Sequence, residues 1–196
     1  MVVYGEDPRE PARVWWLLRY WGFKDVRLLN GGWPAWAAQN SAASRETPAV
    51  KEATPKLAAQ ADRLATKEQV LDVVKKRDRQ IIDARSEKEY CGVEKLTNRR
   101  GGAIPGARQL EWSDLLDPET HRFKPAAELR KLFGQAGVAL DRPTTTYCQS
   151  GGRASVMAFG LELMGAKDVR NYYASWNEWG NAADTPVEPG KPREQK

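Results

Sequence analysis

The segment Tyr147-Cys148-Gln149-Ser150-Gly151-Gly152-Arg153-Ala154 brings together the residue types that most directly suggest chemistry. A cysteine reacts as thiolate, and thiolate is favoured beside positive charge and at the first turn of a helix. The run Thr144-Thr145-Thr146-Tyr147 before it has strand propensity, and Ala154, Met157, Ala158 and Leu161 after it carry helical spacing. Cys148 is therefore expected between a strand end and a helix start, where an open α/β sheet presents its ligands. Ser150, Gly151 and Gly152 have little bulk, and glycine accepts either sign of φ, so the loop can turn N–H groups onto a sulfur or a small anion. Arg153 adds a fixed charge and a fork suited to a sulfonate or carboxylate. Cys148 by itself, at a strand end, reads as a buried structural thiol. The glycine-rich loop, Arg153 and the signatures elsewhere in the chain make it the expected nucleophile, with Gln149, Ser150, Gly151, Gly152 and Arg153 around the substrate.

The elements that must hold this loop are visible because the chain repeats itself. With Gly5 set opposite Cys148, an offset of 143 residues, Tyr4 meets Tyr147, Leu18 meets Leu161 and Gly22 meets Gly165. The string Lys24-Asp25-Val26-Arg27 meets Lys167-Asp168-Val169-Arg170, and Trp33 and Trp36 meet Trp176 and Trp179. Each copy reads as strand, helix, strand, which is a crossover unit of a parallel sheet. The apolar helical faces are expected at Val14, Leu17, Leu18, Trp21 and at Ala154, Met157, Ala158, Leu161. Gly22 and Gly165 stand where a helix ends in a left-handed residue. Most of the eight tryptophans, sitting at repeated positions, are expected in the core.

Only the second copy has a long lead-in. Thr66 and Gln69 form the pattern of a capping box before a helix over 67–76. Ile81-Ile82-Asp83-Ala84 reads as a buried strand, Ala103 to Ala107 as a turn into another, and 125–133 as a helix. The expected organisation is a C-terminal remnant of a first domain over 1–40, a linker over 41–62, a complete domain over 63–189 and a tail over 190–196. A helix and two strands bury too little to fold alone. Either the remnant packs on the second domain or the chain is a shortened form of a longer tandem protein; the second alternative is preferred.

Composition narrows the function classes. The 196 residues are 41% hydrophobic and 29% charged, and no apolar run of about 18 residues exists, so no membrane partner is expected. The N-terminal residues do not form a signal peptide, so the expected setting is the cytoplasm, with the periplasm as the alternative if the N-terminus is incomplete. The net charge of +5 favours small anions, but basic and acidic residues are interleaved, so no nucleic-acid partner is expected. Oligomeric state is not legible. Two cysteines, Cys91 and Cys148, make no disulfide framework. His121 is the single histidine and cannot build a metal site or a triad alone; neither metal nor organic cofactor is expected.

The Cys148 loop resembles the active-site loop of rhodaneses, tandem-domain sulfurtransferases. Ile82-Asp83-Ala84-Arg85 with Glu89-Tyr90-Cys91-Gly92 and Gly101 to Ala107 resembles the family's first signature, and Ser175-Trp176-Asn177-Glu178-Trp179 its terminal one. Arg13-Val14-Trp15-Trp16-Leu17-Leu18 and Gly31-Gly32-Trp33 resemble the silent N-terminal domain of such tandems. The resemblance implies a rhodanese-like α/β fold, a central parallel sheet flanked by helices and preceded by a partial copy of itself. It implies sulfur transfer from a small anionic donor, thiosulfate, to a thiophilic acceptor such as cyanide through a Cys148 persulfide, with Arg153 on the donor's anionic end. Gly5, opposite Cys148, makes the first unit silent. Asp83 and Arg85 are expected as a structural pair supporting the cleft. Arg99 or Arg100 is placed either on the donor anion or on a solvated face, and Trp112 either on the pocket wall or in the core. Cys91 is a bystander, or a disulfide partner of Cys148 on oxidation.

Two departures bear on the donor. Alanine 103 follows Gly102 where the family has histidine, and the loop is closest to bacterial tandems that begin Cys-Gln and end in Arg. Mercaptopyruvate sulfurtransfer is the runner-up reading. An inactive fragment and a rhodanese-like interaction module are the rivals from another class. A cysteine phosphatase is disfavoured, because its loop needs five residues between Cys and Arg and this one has four, Gln149 to Gly152.

Overall fold

The computed structural model of the protein describes residues 1–39, 41–47, 49 and 51–192. Its first unit is a parallel pair of short strands, β1 (Val2–Val3) and β2 (Arg27–Leu28), joined by helix α1 (Arg9–Tyr20) and followed by α2 (Gly32–Ala38). The second unit runs α3 (Lys67–Lys76), β3 (Gln80–Asp83), α4 (Glu87–Tyr90), β4 (Arg108–Gln109), α5 (Ala126–Gln135), β5 (Thr144–Tyr147), α6 (Gly152–Leu163), β6 (Val169–Asn171) and α7 (Ser175–Trp179). Its sheet has the order β4-β3-β5-β6 with every pairing parallel. The β1-α1-β2-α2 sequence repeats β5-α6-β6-α7 at the offset read from the residues.

Local chemistry sets these elements. Thr66 accepts from the Gln69 amide at 3.3 Å while the Gln69 side chain accepts from the Thr66 amide at 3.0 Å, so α3 begins with the expected reciprocal cap. β3 and β5 are buried along their whole length, as parallel strands covered on both faces must be. Alternation then sorts their side chains: Ile82 and Cys148 face a core built with Leu115, Leu129, Phe133, Met157 and Leu161, and Ile81 and Tyr147 face one built with Val70, Ile104, Trp176 and Trp179. Gly22 and Gly165 have φ of 93° and 96°, the left-handed helix ends that were expected.

The first unit packs on the second. α1 lies along α6 in the most extensive helix–helix contact of the molecule, with Trp15 edge-on to Phe159 at 5.0 Å and Trp16 stacked on Tyr173 at 5.2 Å. This corrects two expectations. The buried face of α1 is Ala12, Trp15 and Trp16, with Leu18 partly covered, whereas Val14, Leu17 and Trp21 are exposed. The run Val14 to Leu18 is apolar on both sides of the helix, so spacing alone offers two faces, and the larger tryptophan surface is the one α6 takes. The tryptophans divide more evenly than expected: Trp15, Trp16, Trp176 and Trp179 are buried and Trp112 packs half-buried against the core, but Trp21, Trp33 and Trp36 are exposed. The lead-in of the second unit covers Trp176, with Arg85 over its ring and Arg100 O accepting from its indole, and the segment after α7 covers Trp179, whose indole donates to Pro186 O. The described residues hold no such lead-in before Trp33 and Trp36.

Over 41–62 the described residues form no regular element before a turn at Ala61–Arg63, yet the end of this segment is anchored. Ala58 and Gln60 donate to the last carbonyls of the first helix region, Trp21 at 3.2 Å and Tyr20 at 2.7 Å. Gly190, placed in the expected tail, donates to Tyr90 at 3.1 Å, so the bonded chain runs past that boundary. Asn40, Pro48, Val50 and the tail residues 193–196 lie outside the described residues. Among the described residues no helix is long and apolar enough to cross a membrane.

Candidate functional site

Cys148 directly follows β5, the second central strand, and precedes α6, whose first residue is Gly152. It is buried, at 1% exposure, on the floor of a cleft of about 510 Å³. Gln149, Ser150, Gly152 and Arg153 line this cleft from the second unit, and Asp7, Arg9, Glu10, Arg13 and Val14 line it from the first. The structure thus gathers the predicted loop, apart from the buried Gly151, at one opening and adds α1 as its facing wall.

The loop is shaped to offer amides to the sulfur. The Gly151 N–H donates to Cys148 Sγ at 3.1 Å. Every carbonyl from Cys148 to Gly151 is taken by a donor outside the turn: Trp176 N on Cys148 at 2.9 Å, Asn177 N on Gln149 at 3.0 Å, Arg13 on Ser150 at 3.0 Å, and Ser155 Oγ on Gly151 at 2.8 Å. With the acceptors so occupied, the backbone dipole shown on the sulfur is the Gly151 N–H, a donor suited to a persulfide anion. Gly151 sits at φ 87°, and a side chain there would meet the Tyr173 ring at 2.7 Å, so only glycine fits.

Around this loop stand residues that sequence reasoning missed. Ser175 accepts from the Cys148 amide at 3.0 Å and donates to Tyr172 O at 2.8 Å, with its oxygen 4.0 Å from Sγ. It is a buried non-glycine residue at φ 56°, and its counterpart in the repeat, Gly32, has φ 59°. A serine in this left-handed position, where the first copy has glycine, was a readable sign that the hydroxyl has a use. Glu89 binds Arg153 through both terminal guanidinium nitrogens, at 2.6 and 2.9 Å. Burial pushes the Glu89 carboxyl up, but Arg153 and the Ser86 cap outweigh it and hold it below its ordinary value. Gln149 is likewise engaged, exchanging amide bonds with Asn98 at 3.0 and 3.1 Å.

The supporting residues fall into two groups. Asp83 and Arg85 form a fully buried pair at 2.6 Å, with Arg85 also donating to Gly102 O at 2.7 Å and lying 4.3 Å over the Trp176 ring. The Tyr147 hydroxyl donates to Asp83 at 2.5 Å, and burial with that neighbouring carboxylate drives its pKa well up, so it remains a neutral donor. The pair therefore anchors the strand end that carries Cys148. Arg100 does not line the Cys148 cleft and is not on a solvated face either. Its guanidinium donates to the carbonyls of Trp179 at 2.8 Å, Gly180 at 3.3 Å and Thr185 at 2.6 Å, as well as Ala182, and so closes the C-terminal end of α7. Trp112 does not line the Cys148 cleft; it lines a neighbouring one and carries the Arg9 guanidinium 5.5 Å above its ring. Cys91 and Cys148 are both free thiols, and burial raises the Cys91 pKa. Among the described residues no group of His, Cys, Asp and Glu could hold a metal.

The βα turn that carries Cys148 recurs at Gly5 without the cysteine. The rhodanese-like domain model covers residues 1–39 and 66–182. The chain belongs to the rhodanese-like family. It is 36% identical over 97% of its length to a thiosulfate sulfurtransferase of Corynebacterium glutamicum, covering 66% of that protein. It is 33% identical over 97% of its length to a putative thiosulfate sulfurtransferase of Haloferax volcanii, covering 69% of it. The ergothioneine biosynthesis enzyme of Chlorobium limicola, solved with trimethyl histidine, superposes with a TM-score of 0.85 at 24% identity, over 97% of this chain and 51% of that one. The rhodanese-like chain thus spans about two thirds of these curated relatives and half of that solved chain.

Proposed function

We propose that this rhodanese-like chain transfers sulfane sulfur from thiosulfate to a thiophilic acceptor such as cyanide through a persulfide on Cys148. The observation that carries the reading is the Gly151 amide on Cys148 Sγ at the floor of an arginine-bearing cleft, in a chain whose relatives are named thiosulfate sulfurtransferases. Cys148 thiolate attacks the outer sulfur of thiosulfate; the new S–S bond forms as the bond to the sulfonate sulfur breaks, and that electron pair leaves with sulfite. The acceptor then takes the outer persulfide sulfur, and its bonding pair returns to Cys148 as thiolate. Loop amides already in place stabilise the anionic sulfur in both states without reorganisation. Arg153, its fork held by Glu89, bounds the cleft beside the sulfur.

The domain division proposed with this function is a silent first-domain remnant over 1–40, a linker over 41–62, the catalytic unit over 63–189 and a tail from 190. A cytoplasmic setting belongs to the same proposal. The competing donor is mercaptopyruvate, supported by a 33% identical Arabidopsis thaliana relative named for both thiosulfate and 3-mercaptopyruvate. Steady-state transfer to cyanide separates the two. With thiosulfate, kcat/KM is expected to exceed that with mercaptopyruvate by about tenfold or more, which is a transition-state difference of about 1.4 kcal/mol. The reverse order would move the chain to the mercaptopyruvate reading, and no turnover with either donor would leave the interaction-module reading standing.

A further inference from the structure

We propose that Arg13, on helix α1 of the otherwise silent first unit, binds the negative end of the sulfur donor in the Cys148 cleft. The inference rests on the sulfurtransferase reading for the identity of the donor, but its geometry stands apart from the transfer step.

Three arginines line the cleft, Arg9, Arg13 and Arg153. Two of them are already neutralised. Arg9 is forked onto Asp7, with its Nε at 2.9 and 3.0 Å from the two carboxylate oxygens, and Arg153 is forked onto Glu89 at 2.6 and 2.9 Å. Each pair carries no net charge, and its best donors are spent. Arg13 differs. Among the described residues its hydrogen bond is to a neutral acceptor, Ser150 O at 3.0 Å, and its guanidinium lies 5.6 Å over the Tyr173 ring. No carboxylate stands within ion-pair distance of it among the described residues. Glu10 shares the cleft wall, but its carboxylate turns toward Gly5, 3.8 Å from where a side chain there would begin.

A guanidinium has five N–H donors in a rigid fork, and a single carbonyl occupies one. The remaining donors and the unneutralised charge suit a sulfonate or carboxylate oxygen, for which bidentate arginine pairing is strong. The location is also right. Arg13 touches the loop at Ser150 and approaches the first residue of α6, where a side chain on Gly152 would meet its Nη2 at 3.0 Å. It therefore sits over the turn whose amide contacts the sulfur. The first unit lacks a nucleophile at Gly5, yet it supplies the charge that holds the donor against Cys148.

The test is thiosulfate binding to the full chain carrying Cys148→Ser, followed by calorimetry, so that no transfer step is needed. In that background Arg13→Ala and Arg13→Gln are each expected to weaken binding about tenfold or more, and Arg13→Lys distinctly less. The glutamine variant is decisive, because it keeps an N–H donor for Ser150 O and removes only the charge. Binding by Arg13→Gln within twofold of the parent would overturn the proposal and leave Arg13 a support for the loop. Absence of thiosulfate binding by the folded Cys148→Ser parent would overturn it too. Failure of wild-type protein to form a persulfide, with binding and its Arg13 dependence intact, would instead sink the transfer reading alone.

Discussion

Replacing Cys148 by serine is expected to lower thiosulfate-to-cyanide transfer by on the order of a thousandfold or more, while leaving the fold in place. A serine hydroxyl is a far weaker nucleophile than a cysteine sulfur, and oxygen forms no persulfide. The fold survives because the site is polar where it matters. The Gly151 N–H, 3.1 Å from Sγ, and Ser175 Oγ, 4.0 Å away, are groups a hydroxyl can satisfy. Circular dichroism and thermal melting on the same sample separate lost chemistry from lost structure. Residual transfer within tenfold of wild type on a folded protein would remove Cys148 from the centre of the mechanism.

The largest stability effect is expected at Arg85. Its guanidinium is buried at 1% exposure and matched to an Asp83 carboxylate at 0%, with Tyr147 as the carboxylate's other partner. Arg85→Ala strands a buried carboxylate, strips the Gly102 carbonyl of its donor and opens space over Trp176. Breaking a buried pair from one side costs about 3–5 kcal/mol. At a few degrees per kcal/mol for a chain of this size, melting should fall by roughly 10 °C. Replacing both partners by apolar residues of similar volume should return part of that loss, because the penalty is an uncompensated charge and not a missing attraction. Denaturant unfolding measures both. A loss under about 1 kcal/mol for Arg85→Ala would show the pair to be incidental to the strand end that carries Cys148.

Much of this architecture was legible because it is written twice. The match of Lys24-Asp25-Val26-Arg27 to Lys167-Asp168-Val169-Arg170 places two crossover units, and β1-α1-β2 and β5-α6-β6 lie at those positions. Local signals held equally well: the Thr66–Gln69 cap and the left-handed Gly22 and Gly165 depend on neighbours within one turn. What failed depends on distant partners. The face α1 buries is chosen by α6, more than a hundred residues away, and a helix apolar on two sides does not announce the choice.

The site divides in the same way. The loop from Cys148 to Arg153 was readable as a unit, since its chemistry lies in consecutive residues. Its partners were not. Glu89 is 64 residues from Arg153, and Arg13 is 137 residues from Ser150. Arg100 shows the converse: its type suggested an anion ligand, but the carbonyls at the end of α7 fill its donors. The structure also changes the meaning of the silent copy. Gly5 removes a nucleophile, yet α1 walls the cleft and, through Trp16 on Tyr173, backs the ring that presses on Gly151. Deleting the first unit should therefore damage the site even though the reacting sulfur lies elsewhere.

The most direct test is the intact mass of wild type and Cys148→Ser after brief thiosulfate treatment, with and without subsequent cyanide. The account predicts a gain of about one sulfur atom on wild type only, removed by cyanide as thiocyanate forms. No gain on folded wild-type protein, or an equal gain on Cys148→Ser, would contradict it.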